Sequence, residues 1–164
     1  MRRIARAAVT ATALLIATGP MLAGAGAASA ESAGVVMPLA EKLRRCDFSQ
    51  VKYVGGSYYG RPTAQLRVQG GEVLADVAFF TGVPNTRYDV RLIQMPRTSA
   101  AGCEAGAPGV ASAALLTDGA GAGAVTVRGP IMPGATGAWL SLTRPAANSQ
   151  RPEEFYSTDF IASL

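Results

Sequence analysis

Residues 63–80 carry the feature that most narrows what this chain can fold into. Ala64, Leu66 and Val68 alternate with Gln65 and Arg67, Gly70–Gly71 interrupts, and Val73, Ala75, Val77 and Phe79 resume the same period around Asp76. A period of two sends successive side chains to opposite faces of an extended strand. Two such runs joined across a glycine pair predict a β-hairpin with one buried face.

The same grammar continues along the chain. Short β-prone runs stand at 51–54 (VKYV), 87–94, 111–117 (ASAALLT), 124–128 (AVTVR), 138–143 (AWLSLT) and 155–162 (FYSTDFIA). Glycine- and proline-rich breaks separate them, among them DGAGAG (118–123), which reads as the turn of a second hairpin between 111–117 and 124–128. With the first hairpin this gives about eight short strands and no convincing helix, the pattern of an all-β antiparallel sandwich. Residues 31–45 hold only a weak helical pattern in PLAEKL and are expected as a flexible N-terminal arm ahead of a β-sandwich domain over 46–164.

The first thirty residues are set apart by composition. Arg2, Arg3 and Arg6 precede an apolar run broken at Gly19–Pro20, and the segment ends in Ala-Ser-Ala at 28–30. A basic start, an apolar middle and a small-residue A-x-A site predict a secretory signal peptide cleaved between Ala30 and Glu31. A retained anchor would need about 20 uninterrupted apolar residues. The expected location is therefore extracellular, with no membrane span after cleavage. Removing three arginines leaves 12 Lys+Arg against 11 Asp+Glu, a net charge of +1. Only Lys42, Arg44 and Arg45 cluster, which does not make a nucleic-acid surface.

Cys46 and Cys103 are the chain's two cysteines. In an exported protein an even pair reads as a disulfide. The chain has no histidine, so Ser-His-Asp and Cys-His catalysis lack their base, and two thiolates alone leave a zinc site half empty. The lysines, Lys42 and Lys52, sit in no recognisable motif. The carboxylates are scattered, and the adjacent pair Glu153–Glu154 falls in a polar loop where solvated surface is the expectation. Asp118 stands alone among Ala and Gly, too few oxygens for calcium, and no Gly-Lys-Ser/Thr opens a phosphate loop. No catalytic residue, metal or cofactor is assigned. Aromatic side chains offer a better lead: Tyr58, Tyr59, Trp139 and Tyr156 are the expected binding surface, able to stack on a sugar or anchor a protein if they share an outer face. The competing reading places Trp139 in the core.

Val83, Pro84, Asn85, Thr86, Tyr88 and Val90, within TGVPNTRYDVRL (81–92), resemble the corner of fibronectin type III and related immunoglobulin-like domains. That resemblance implies an immunoglobulin-like β-sandwich in which the Tyr88 hydroxyl bonds back to the backbone and locks a sheet-to-sheet crossover, the tyrosine corner. Val90 and Leu92 would then face the core, and Arg87, Asp89 and Arg91 would face out. The chain is also similar overall to small secreted proteins of actinobacteria, through its leader, its cysteine pair, Thr117-Asp118-x-x-Gly121-x-Gly123 and the late Tyr-Ser-Thr-Asp-Phe at 156–160. That similarity implies no activity. The expectation is a secreted, monomeric, non-enzymatic binding or structural module with a protein or carbohydrate ligand. The alternatives are an inhibitor presenting loop 96–110 or 144–154 to a protease, or a hydrolase using two carboxylates about 5–10 Å apart.

Overall fold

The computed structural model describes residues 34–52 and 58–164. Nine strands run β1 Val35–Ala40, β2 Arg61–Gln69, β3 Glu72–Phe80, β4 Arg87–Met95, β5 Val110–Leu116, β6 Gly123–Pro130, β7 Gly137–Arg144, β8 Glu154–Thr158 and β9 Ala162–Ser163. All pair antiparallel in the order β5-β4-β7-β8-β1-β2-β3-β6, with β9 added at the start of β7. The two ends of that path, β5 and β6, lie alongside one another without a ladder between them, so the sheet is a nearly closed barrel.

The β2–β3 hairpin forms as its alternation requires. Gln69 pairs with Glu72 across Gly70–Gly71, both of which have positive φ (59° and 81°), the conformation a two-residue turn demands and glycine supplies without strain. Leu66 stands opposite Ala75 and Ala64 opposite Val77, all four buried, while Gln65 and Asp76 face out. β4 repeats the rule: Tyr88, Val90 and Leu92 are fully buried, and Asp89 and Arg91 lie on the other face. These residues join Met37, Phe79, Leu115, Val127, Leu140, Leu142 and Tyr156 in one core that fills the barrel. Full burial of each large side chain is worth roughly 1.5–3 kcal/mol.

Four expectations need correction. The segment expected as an N-terminal arm contains β1, which pairs with β2 through Val35–Pro38 and with β8 through Leu39 and Ala40, and so joins the two halves of the sheet. Its inward residues are Met37 and Leu39, a period of two that the helical spacing of Leu39 and Leu43 obscured. Of VKYV, Val51 and Lys52 are irregular rather than in a strand, and Tyr53 and Val54 lie outside the described residues. The DGAGAG turn does not close a second hairpin, because β5 pairs with β4 while β6 pairs with β3. Here Asp118 Oδ1 accepts the Ala120 and Ala122 N–H groups, and Gly82 N–H donates to Gly121 O at 2.9 Å. These bonds tie the turn to the loop before β4 and carry the chain across the barrel. FYSTDFIA divides into β8 and β9 at Asp159, whose carboxylate is drawn off to Lys42.

Cys46 and Cys103 form a disulfide, with Cα atoms 5.5 Å apart, joining the loop after β1 to the loop after β4. The 57-residue separation sets its worth at about 4 kcal/mol in the chain-entropy account. Replacing both cysteines by alanine should lower the unfolding free energy in urea by that order, with the native β-sheet circular dichroism retained.

Candidate functional site

Two places concentrate polar chemistry, and they differ in kind. The first lies inside one mouth of the barrel. Tyr88 opens β4, Arg144 ends β7, and Glu154 and Tyr156 share the inward face of β8, with Arg144 directly opposite Glu154 in the ladder. Tyr88 Oη donates to Glu154 Oε2 (2.8 Å), Tyr156 Oη donates to Oε1 (2.6 Å), and Arg144 Nε donates to Oε2 (3.0 Å). Each tyrosine oxygen also accepts a backbone N–H, Tyr88 from Val83 (3.1 Å) and Tyr156 from Gly60 (3.0 Å). Arg144 Nη1 continues to Glu153 at 2.7 Å. A Cβ at position 60 would lie 2.3 Å from Phe79 and 2.4 Å from the Tyr156 hydroxyl, so only glycine lets that N–H reach its acceptor.

The electrostatics follow from this packing. Burial, then the Glu154 carboxylate, push the Tyr88 phenol up from its ordinary value of 10.0 to about 12. The same two causes, in the same order, raise Tyr156. Burial alone would disfavour the Arg144 charge, but Glu154 and Glu153 more than offset it and its pKa rises. Glu154, expected on a solvated loop, is only 3% exposed and spends its carboxylate on three donors. Both carboxylate oxygens of Glu154 are thus engaged in holding strands and loops together, and Glu154 and Arg144 also line a cavity of about 340 Å³ with Tyr58, Tyr59 and Val83.

The second place is the outer face of the β4–β7 pair. Asp89, Arg91 and Ile93 stand opposite Thr143, Ser141 and Trp139. A cavity of about 220 Å³ opens over them, walled by Arg44, by the Cys103 disulfide and by loop residues Ser149–Pro152. Trp139, on the face opposite Leu140 and Leu142, is nevertheless 1% exposed. The loop after β1 covers it: Phe48 packs edge-on against the indole at 5.5 Å, and the Arg44 guanidinium lies 3.8 Å from the Phe48 ring centre. Phe48 holds φ at +70°, an uncommon conformation for a bulky residue, in a turn braced by Arg45 N–H to Ser49 O and by Asp47. Loss of water around the Arg44 guanidinium lowers its pKa, with Asp159 opposing.

The expected aromatic surface therefore does not assemble. Trp139 and Tyr156 are buried, Tyr156 inside the barrel and Trp139 outside it beneath Phe48. Tyr58 is half-buried against Phe155 and Tyr156, and Tyr59 is 77% exposed. The leucines do face the core, opposite the indole, but neither reading of Trp139 anticipated that a separate loop buries it on that far face. Loop 144–154 lies along the cavity as one of its walls. Arg91 was legible as outward-facing, whereas the contribution of Arg44 depends on a loop that no local pattern announced. Among the described residues, no three Asp, Glu or Cys side chains gather as a metal site.

No protein-family model, curated protein or solved structure matches the chain.

Two outcomes test the mouth network. Glu154→Ala leaves Arg144 and two phenols without their buried acceptor and should cost about 3 kcal/mol or more in urea unfolding, whereas Tyr88→Phe should cost about 1–2 kcal/mol. The Tyr88 proton is held more tightly in the fold than in the unfolded chain. Its stabilising contribution is therefore complete below pH 10 and lost as the pH rises towards about 12. Alkaline unfolding followed by phenolate absorbance should show this loss, diminished in Tyr88→Phe.

Proposed function

We propose that this chain is an exported, non-enzymatic β-sandwich of the immunoglobulin-like kind that binds a small polar ligand in the cavity outside β4 and β7. The carrying observation is the contrast between the two polar sites: both oxygens of the Glu154 carboxylate are taken by donors, while at the outer cavity the side chains of Arg91, Ser141 and Thr143 have no hydrogen bond to another described residue. Strand order supports the immunoglobulin-like part. Taken in chain order, β3 to β8 correspond to strands B, C, C′, E, F and G, with β3 beside β6 in one layer and β5-β4-β7-β8 as the other. In that correspondence Tyr88 opens strand C, whereas the family's corner lies at the start of F. It would be the same lock applied to a different crossover. Export is supported by the leader-like residues 1–30 and by the disulfide.

A second reading has one observation in its favour. Loop 96–109 is tethered by Cys103 and braced from within by Arg97, which donates to the Gly102 and Pro108 carbonyls, so it has the rigidity of an inhibitory loop. Incubation with a panel of secreted proteases decides it: tight, saturable inhibition would favour the inhibitor over the small-ligand module.

Expressed with residues 1–30 in a secreting host, the protein recovered from the medium should begin at Glu31 and carry no free thiol by mass analysis. In a thermal-shift screen of small sugars, amino acids and organic acids, at least one class should raise the melting temperature and alter the emission of Trp139, the chain's single tryptophan. A protein unmoved by every class would overturn the binding reading.

A further inference from the structure

The geometry points to an oxyanion site: we propose that the cavity outside β4–β7 takes a small molecule through its carboxylate or phosphate group, with Arg91 as the anchor. This rests on the reading of that cavity as a binding site. Among the described residues five arginines are half-buried, and four of them are occupied. Arg44 donates to Phe48 O and stacks on its ring, Arg67 pairs with Asp76, Arg97 donates to two carbonyls, and Arg144 holds Glu153 and Glu154. Arg91 alone among them has no hydrogen bond or ion pair with any described residue. A half-exposed arginine on a strand, with five N–H donors unspent on protein, has its fork available to an acceptor that enters the cavity.

The surroundings select what that acceptor is. Asp89, on the same face two residues away, is taken by Arg87 at 3.1 Å and so does not neutralise Arg91. Directly across the ladder, Ser141 offers a hydroxyl, and Thr143 a second one further along β7; neither side chain is hydrogen-bonded to a described residue. Arg44 and Arg151 also line the cavity, leaving three guanidinium groups against one carboxylate. Donors thus outnumber acceptors and positive charge outnumbers negative. Arginine's planar fork matches the two oxygens of a carboxylate or phosphate. At about 220 Å³ the cavity falls below the roughly 300–1,000 Å³ of drug-sized sites, which suits a ligand about the size of one sugar or amino acid.

Trp139 lines the cavity and reports on it. Its fluorescence should be titrated with sodium phosphate, sodium glucuronate and neutral glucose, in chloride of matched ionic strength, for the wild-type protein, Arg91→Gln and Arg91→Lys. Thermal unfolding of each variant confirms that it folds. Phosphate or glucuronate should give a saturable change that glucose does not, and whichever of the two binds tells phosphate from carboxylate chemistry. Arg91→Gln should weaken it at least about tenfold, and Arg91→Lys should restore part of the loss. Equal binding to a folded Arg91→Gln, or no response to either anion, overturns the oxyanion site. Saturable glucose binding that Arg91→Gln leaves unchanged overturns it too, yet preserves the cavity as a binding site; failure of all probes and of the wider screen removes both.

Discussion

A carboxylate placed inside the mouth of the barrel is the constraint on which the rest of this structure depends. Removing a charged pair from water costs several kcal/mol per ion and is recovered only when geometry is good and the remaining polar positions are filled. Glu154 meets that condition through Arg144 and two tyrosine hydroxyls, and the tyrosines meet their own through backbone N–H groups of Gly60 and Val83. Three strands and two connecting segments are thereby tied to a single side chain. A slip of β8 by one residue would turn Glu154 outward and Phe155 inward. The network therefore fixes register as well as contributing stability.

The β4–β7 pair then serves two interiors at once. Its inward residues, Val90, Leu92, Leu140 and Leu142, belong to the barrel core, and its outward residues Ile93 and Trp139 are also buried, Trp139 beneath Phe48. The disulfide sits at the edge of that roof, between the loop carrying Phe48 and the loop after β4. Its part in the structure is thus local as well as entropic. It keeps a turn with a left-handed phenylalanine pressed against the indole, and with that turn it positions Arg44 beside the cavity.

What could be read beforehand follows from the range of the interactions. β2, β3 and β4 were legible because their alternation is local and their turns are set by Gly70–Gly71 and by the Pro84–Asn85 loop. β1 was not: Leu39 and Leu43 imitate a helical face, and its strand character comes from pairing with β2 and β8, distant in sequence. Two adjacent glutamates look alike in a sequence, yet Glu153 stays near solvent while Glu154 turns into the barrel because it lies opposite Arg144. Trp139 presented a choice between core and surface, and the answer was a third environment built by a remote loop. The turn at 118–123 was recognised by its glycines and Asp118. Which strands it would join depended on bonds to Gly82 that no local pattern encodes.

Those same long-range terms decide where a ligand could be accommodated. The barrel interior is filled by aromatic and aliphatic side chains, and the one buried carboxylate among the described residues, Glu154, accepts from Arg144 and two tyrosines. Asp76, on the outer face of β3, is held by Arg67 and Thr126. Arg91 remains, on a central strand under a cavity walled by the Cys103 disulfide and by residues Ser149–Pro152. Tyr88 secures the inner side of that strand, and Arg91 stands on its outer side with no hydrogen bond or ion pair to another described residue.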